Sequence, residues 1–171
     1  ATAAQIEAST LNVDEDDDND LTPDTSDVRP LDPNYADPTF GVFTASFGGS
    51  VIDGVNFSVP TGAESWAGFA NENTDLYPFS FPDGGQITFT GSVASGGSAD
   101  VRFRFEKNPH PDVDPAYDTV AVTVTGSTPA EYVIDIPSQG IKTFRSFLMY
   151  VEPNVEVTVT SVLVTVLDPV T

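Results

Sequence analysis

The chain of 171 residues is long enough for one domain with a real core, and its 39% hydrophobic and 11% aromatic residues argue against general disorder. Its 26 acidic and six basic residues give a formal net charge of −20, which disfavours nucleic acid, anionic membranes and sulfated or uronic polysaccharides as partners. The sequence has no cysteine, which excludes disulfides, thiolate metal sites and cysteine nucleophiles.

The first forty residues differ in character from the rest of the chain. Residues 1–10 lack the basic start and apolar run of a signal peptide, and no apolar run approaches the roughly 20 residues of a membrane span. Residues 11–40 are acidic, rich in proline and poor in large apolar side chains. We therefore expect a piece of a larger, exported protein, in which residues 1–34 form a linker and residues 35–171 a β-domain.

Six aspartates fall within the twelve residues from Asp16 to Asp27. Counted from Asp16, carboxylates occupy positions 1, 3, 5, 9 and 12, and position 7 offers a backbone carbonyl. Oxygens at this spacing can wrap one Ca²⁺, which takes about six to eight oxygen ligands. A solvated acidic linker is the usual alternative for such a run, but the spacing favours the metal site. The predicted Ca²⁺ ligands are Asp16, Asp18, Asp20, Thr22, Asp24 and Asp27.

The run from Asp16 to Pro30 resembles a thrombospondin type 3 repeat, whose pattern is Asp-x-Asp-x-Asp-Gly-x-x-Asp-x-x-Asp-x-Cys-Pro. Leu21 stands where the pattern has Gly, and Arg29 where it has Cys. No apolar helix pattern flanks the run, which argues against a helix–loop–helix EF-hand. The resemblance implies a structural Ca²⁺ that stiffens a linker between modules. It also suggests an extracellular or cell-surface setting, where millimolar Ca²⁺ fills even a modest site.

Short β-type runs separated by Gly, Pro and Asn/Asp turns fill the chain from Thr39 to Leu167, with no helical periodicity between them. This pattern predicts an all-β fold, an antiparallel β-sandwich or a barrel. The runs are TFGVFTASF, VNFSVP, SWAGFAN, PFSF, QITFTGSV, ADVRFRFEK, TVAVTVTG, EYVIDIP, FRSFLMYV and VEVTVTSVLVTVL.

Several of these runs alternate between apolar and polar residues, as half-buried antiparallel strands do. In the last run, Leu163 and Leu167 add apolar residues to the second face, so we expect this strand to be covered on both sides. The predicted apolar faces comprise Val101, Phe103 and Phe105; Val120, Val122 and Val124; and Val155, Val157 and Val159.

The segments SWAGFANENTDLYPFSFPDGGQITFTGSV, DVRFRFEKNPHPDVDPAYDT and YVIDIPSQGIKTFRSFLMYV carry a second resemblance. From roughly Thr39 to Leu167 the chain resembles the jelly-roll carbohydrate-binding modules attached to laminarinases of marine bacteria, in the galactose-binding-like group that includes family 4. The resemblance implies a monomeric jelly-roll sandwich, often with a structural Ca²⁺. It also implies non-catalytic binding of a neutral β-glucan such as laminarin, within a larger secreted or surface protein.

Two groups of residues are candidates for ligand binding. Trp66 is the only tryptophan, and the small residues beside it leave room for a sugar to stack on its ring, although a core position is an equal alternative. The polar strand face that holds Arg102 and Arg104 offers donors for vicinal hydroxyls, or forms a solvated salt-bridge ladder. The predicted ligand-binding residues are Trp66, Glu64, Asn71, Asn73, Arg102, Arg104, Glu106 and Tyr117.

The residues available for catalysis are few. A single histidine, His110, makes a Ser–His nucleophile improbable and a three-histidine zinc site impossible. A glycosidase needs only two carboxylates, so a polysaccharide-degrading domain stays a minor alternative. The main alternative to a carbohydrate-binding module is a structural or adhesive Ca²⁺-dependent β-sandwich with protein partners. Asp112, Asp114 and Asp118 are too loosely spaced to favour a second Ca²⁺ site.

Overall fold

A computed structural model of the protein describes residues 39–40 and 43–167, all within one compact unit, Pro38–Thr171. The predicted Ca²⁺ ligands and the linker lie outside the described residues. The secondary structure within them is β1 (Thr39–Phe40), β2 (Ala45–Phe47), β3 (Val51–Asp53), β4 (Asn56–Ser58), β5 (Gly68–Ala70), a turn of 3₁₀ helix (Thr74–Leu76), β6 (Phe79–Ser80), β7 (Gly85–Ser92), β8 (Ser98–Glu106), β9 (Ala116–Asp118), β10 (Val122–Thr125), β11 (Ala130–Ile136), β12 (Thr143–Phe144), β13 (Ser146–Val151) and β14 (Val157–Val166).

Two antiparallel sheets form a sandwich. The first sheet has the order β11-β7-β14-β4-β3, and β1 also pairs with β14. The second sheet has the order β10-β8-β13-β5-β2, and β9 also pairs with β8. The strands β12 and β6 form a small two-stranded sheet. This architecture confirms the all-β antiparallel sandwich predicted from the sequence.

Phenylalanine is the most frequent residue in the core between the sheets. The alternation in β8 is as predicted: Val101, Phe103 and Phe105 are fully buried. The rings of Phe105 and Phe147 stack with their centroids 4.6 Å apart. Burying apolar surface, at about 25 cal/mol per Å², is the main force that holds such a sandwich together. The buried phenylalanines are Phe43, Phe57, Phe69, Phe79, Phe81, Phe89, Phe103, Phe105, Phe144 and Phe147.

The apolar residues on both faces of β14 were predicted to mean that the strand is covered on both sides. A β-bulge accounts for them instead, because it moves the core-facing positions from one face to the other. The register shifts between Thr160 and Leu163, and Ser161 adopts a left-handed φ of 53°. An extra residue in one strand changes which residues face the core. Val157 and Val159 are therefore buried before the bulge, and Val162 and Val164 after it. Leu163 is left on the opposite face of the sheet, where it pairs with Thr88.

Other departures concern short or irregular segments. Val120 precedes β10 and is exposed, so it does not share a buried face with Val124. The strands β3 and β9 were not among the predicted runs. The proline-rich loop after β8 is closed by the backbone N–H of Lys107, which donates to the carbonyl oxygens of Val113 (3.0 Å) and Pro115 (3.1 Å).

Among the described residues, we find no helix with the length and apolar character needed to cross a membrane.

Candidate functional site

The side chains that point away from the core on the second sheet form one continuous surface, which we call the outer face. Strand pairing sets Tyr150 of β13 opposite Arg102 of β8, and Gly68 of β5 opposite Phe47 of β2. The same pairing sets Arg104 opposite Asp118 of β9. Residues far apart in the sequence thus lie in a row that runs across the strands.

One end of this row is aromatic. Trp66, in the turn before β5, stacks on Phe47 with a centroid distance of 6.2 Å and an interplanar angle of 9°. The ring of Phe47 meets that of Tyr150 in a T-shaped arrangement at 6.0 Å. Trp66 is 58% exposed, so it is a surface residue and the alternative of a core tryptophan is wrong.

Gly68 lies beneath the contact between Phe47 and Tyr150. A Cβ atom at this position would come within 2.8 Å of Phe47 Cζ and of Tyr150 Cδ1 and Cε1. Real Cβ atoms essentially never approach other atoms this closely. The absence of a side chain at Gly68 is therefore what lets the two rings meet above the sheet.

The other end of the row is a network of ion pairs. The guanidinium carbon of Arg102 lies 4.2 Å from the centroid of the Tyr150 ring, and Arg102 Nη1 is 2.6 Å from Asp118 Oδ1. Arg104 donates to the other oxygen of Asp118 and, from Nε at 2.8 Å, to Glu106. Two guanidinium groups face two carboxylates, so the network is balanced in charge.

Glu106 is the most buried member of this network, with 6% of its surface exposed. It accepts hydrogen bonds from Arg104 and from Ser146 Oγ, the second at 3.3 Å. A buried carboxylate held by a guanidinium and a hydroxyl is satisfied, and such networks rigidify the surface around them.

The network also affects the ionisation of its neighbours. Burial lowers the pKa of Arg104, but hydrogen bonds and charge from Glu106 and Asp118 outweigh burial and raise the pKa above its ordinary value. Burial, helped by the charge of Glu106, raises the pKa of the Tyr150 phenol. Arg104 therefore remains a cation and Tyr150 a neutral hydroxyl at physiological pH.

The other predicted binding residues lie in different settings. Glu64 is exposed in the loop before Trp66, and Asn73 caps the 3₁₀ helix by accepting a hydrogen bond from the Asp75 N–H at 3.1 Å. Asn71 is buried, and its Nδ2 has no partner within the described part of the chain. Tyr117 pairs with Phe105 and packs against the core, and burial raises the pKa of its phenol.

Three residues of the outer face were not predicted as ligand-binding residues: Phe47, Tyr150 and Asp118. Phe47 and Tyr150 belong to predicted β-runs, but Ser46 beside Phe47 is exposed and the residues around Tyr150 in β13 are buried on both faces, so alternation did not mark either ring. Asp118 was considered only as a weak Ca²⁺ ligand, whereas it pairs with Arg102 and Arg104. Within 43–167, no three histidine, aspartate or glutamate side chains converge as they would around a metal ion.

A cleft of about 620 Å³ opens at one end of the outer face, and we call it the loop-end cleft. Arg102 and Tyr150 border both the row and the cleft. The loop 59–65 forms one wall and is tied to the turn at Asn154, which donates its N–H to Val59 O (2.8 Å) and accepts from Thr61 Oγ1 (2.7 Å).

No protein-family model and no curated protein matches the sequence. Solved structures, however, share its fold. The CBM22-1 xylan-binding domain from Paenibacillus barcinonensis Xyn10C is similar, with a TM-score of 0.52 and 15% identity over 74% of this chain and 86% of that one. The N-terminal CBM22-1-CBM22-2 tandem domain from Paenibacillus barcinonensis Xyn10C is also similar, with a TM-score of 0.52 and 13% identity over 79% of this chain and 47% of that one. The fold is thus the jelly-roll sandwich found in carbohydrate-binding modules.

Proposed function

We propose that this domain is a non-catalytic carbohydrate-binding module whose outer face binds a neutral β-glucan such as laminarin. The observation that carries the proposal is Trp66, a mostly exposed ring held parallel to Phe47 at one end of the row. An exposed indole offers a flat apolar surface, and the apolar C–H face of a sugar ring matches an indole held in place.

The polar end of the row suits sugar hydroxyls. Arg102 and Arg104 supply donors in a fixed plane, and the partly exposed Asp118 supplies acceptors, while the buried Glu106 holds Arg104 in place. Because these arginines already face carboxylates, the row presents little uncompensated positive charge. Residues 43–167 contain fourteen acidic and five basic residues, a net charge of −9, which repels uronic and sulfated chains. A neutral glycan is therefore favoured.

The fold supports this assignment, since the similar Paenibacillus structures include xylan-binding domains. Our proposal extends to a monomeric module of residues 35–171 in a larger secreted or surface protein. In that protein, residues 1–34 form a Ca²⁺-stiffened linker. Shallow sugar sites bind weakly, and several modules on one chain can compensate through avidity.

Affinity electrophoresis in gels that contain a single polysaccharide tests the proposal. Laminarin should retard the protein, mixed-linkage glucan and xylan should show how narrow the preference is, and the acidic polysaccharide alginate should not retard it. If no neutral polysaccharide retards the protein, the proposal fails and a structural or adhesive module becomes the better account. Reducing-sugar release from laminarin should stay at background, and its appearance would show that the domain is an enzyme.

A further inference from the structure

The loop-end cleft continues the outer face by one step along the strands. Asp100 precedes Arg102 on β8 by two residues, and Glu152 follows Tyr150 by two, so both pairs share the outward direction. The two backbones remain joined, because the Glu152 N–H donates to Asp100 O at 2.9 Å. The floor of the cleft is thus an extension of the row and belongs to the same rigid sheet.

The cleft is lined by acceptors whose orientation is fixed. Glu152 Oε2 accepts from the Asp100 N–H at 3.1 Å, and Asp100 Oδ1 accepts from Thr123 Oγ1 at 2.6 Å. A carboxylate has about four acceptor positions, so each of these exposed groups retains capacity for a ligand hydroxyl. Glu64, on the opposite wall, adds a third exposed carboxylate.

The position of the cleft relative to the row decides what part of a glycan reaches it. The row from Trp66 to Asp118 runs across the strands, whereas the cleft opens along them, beside Tyr150 and Arg102. A glycan backbone that stacks on Trp66 and follows the row passes the mouth of the cleft without entering the cleft. A sugar attached to that backbone as a branch points into the cleft. The volume of about 620 Å³ lies within the range of about 300–1,000 Å³ usual for small-ligand sites.

We infer that the loop-end cleft binds a side branch of the glycan held on the outer face, so that the module prefers a branched neutral glucan to a linear one. The inference rests on the proposed function and narrows its ligand class. Hydroxyls of the branch sugar donate to Glu64, Asp100 and Glu152, while Tyr150 forms the apolar edge of the cleft.

Isothermal titration with two matched ligands tests the inference: a linear β-1,3-gluco-oligosaccharide, and the same oligosaccharide with one β-1,6-linked glucosyl branch. The wild-type protein should bind the branched ligand about tenfold more tightly. The double variant Asp100→Asn, Glu152→Gln should lose most of that preference and keep its affinity for the linear ligand within about twofold. Glu131→Gln, an exposed position on β11 of the first sheet, serves as the matched control and should change neither value.

Equal wild-type affinity for the two ligands would overturn the inference and leave the proposed function standing. If the double variant loses affinity for both ligands equally, the cleft binds the glycan backbone and not a branch, which also overturns the inference. Binding of neither ligand by the wild-type protein would remove the proposed function together with the inference. Thermal unfolding of each variant shows whether the fold is intact.

Discussion

The guanidinium group of Arg102 lies over the ring of Tyr150, with 4.2 Å between the guanidinium carbon and the ring centroid. This contact joins the aromatic end of the outer face to its ion-pair network. Such a cation–π contact contributes about 0.5–2 kcal/mol, depending on how far it is desolvated. Since Arg102 covers Tyr150 and Phe47 packs on Trp66, Trp66 is the ring that offers the most surface to a ligand.

Gly68 should be required for the arrangement of these rings. In Gly68→Ala the new methyl group would push Phe47 and Tyr150 apart, because its predicted contacts are only 2.8 Å long. The clashing atoms belong to side chains near the surface, so we expect a modest loss of stability, about 1–3 kcal/mol. Affinity for laminarin should fall about tenfold, and the near-ultraviolet circular dichroism of the aromatic cluster should change.

Gly97→Ala is the matched control for this experiment. A Cβ at Gly97 meets only Ser95 Oγ, at 3.7 Å, which is an ordinary contact. It should leave affinity and dichroism unchanged. If Gly68→Ala binds laminarin as well as the wild-type protein, the packed aromatic row is not the binding surface.

Arg104 should contribute to stability as well as to the site. Arg104→Ala leaves Glu106, with 6% of its surface exposed, without its guanidinium partner. We expect a loss of about 2–4 kcal/mol in the free energy of unfolding, measured in urea. Replacing both residues of the ion pair with apolar residues, Arg104→Met with Glu106→Leu, should recover most of the lost free energy of unfolding. Arg145→Ala, at an exposed position, should cost less than about 0.5 kcal/mol. A similar cost for Arg104→Ala would contradict the account.

Much of the fold could be predicted because strand alternation is a local property of the sequence. Val101, Phe103 and Phe105 revealed the buried face of β8 directly. The bulge at Ser161 could not be predicted in this way, since nothing in a serine marks an extra residue in a strand. The short strands β3 and β9 were also missed, because three residues are too few to show a period.

The site was only partly predictable for a different reason. Trp66, Arg102 and Arg104 were found because composition and alternation single them out. Phe47, Tyr150 and Asp118 reach the same surface through pairing between distant strands, β2 with β5, β13 with β8 and β9 with β8. Such long-range pairing is not written in any local pattern. The sequence also could not show that Asn71 and Tyr117 turn away from the outer face.

Tyr77 should make stability depend on pH in the alkaline range. Its hydroxyl donates to Asn71 O at 2.9 Å and accepts from the Phe147 N–H at 3.1 Å. Burial raises the pKa of Tyr77 from 10.0 to about 12, although the Phe147 hydrogen bond lowers it. Because the pKa of Tyr77 is higher in the folded protein than in the unfolded one, its hydroxyl contributes fully to the free energy of unfolding below about pH 10. This contribution is lost as the pH rises through about 12.

Tyr77→Phe tests this expectation through urea unfolding at pH 7 and at steps above pH 10. The variant should be less stable than the wild-type protein by about 1–3 kcal/mol at pH 7, since two hydrogen bonds are lost. The difference should narrow between about pH 10 and 12. A difference that is absent at pH 7, or that stays constant with pH, would show that the hydroxyl has no such role.

The acidic run should bind Ca²⁺ through its spacing and not through its total charge. In calorimetric titrations of the full chain, the triple variant Asp16→Asn, Asp18→Asn, Asp20→Asn should abolish Ca²⁺ binding. The control Asp14→Asn, Glu15→Gln, Asp17→Asn removes the same number of charges at positions outside the predicted ligand set and should retain it. Equal losses in the two variants, or no Ca²⁺ binding by the wild-type protein, would leave only a solvated acidic linker.

The most direct test of the central claim is the affinity for laminarin of the wild-type protein and of Trp66→Ala, both measured by isothermal titration. Val133→Ala, at an exposed apolar residue on β11 of the first sheet, is the control and should behave as the wild-type protein does. Trp66→Ala should bind at least about tenfold more weakly, with an unchanged melting temperature. Undiminished binding by Trp66→Ala would contradict the claim that the outer face is the carbohydrate-binding site.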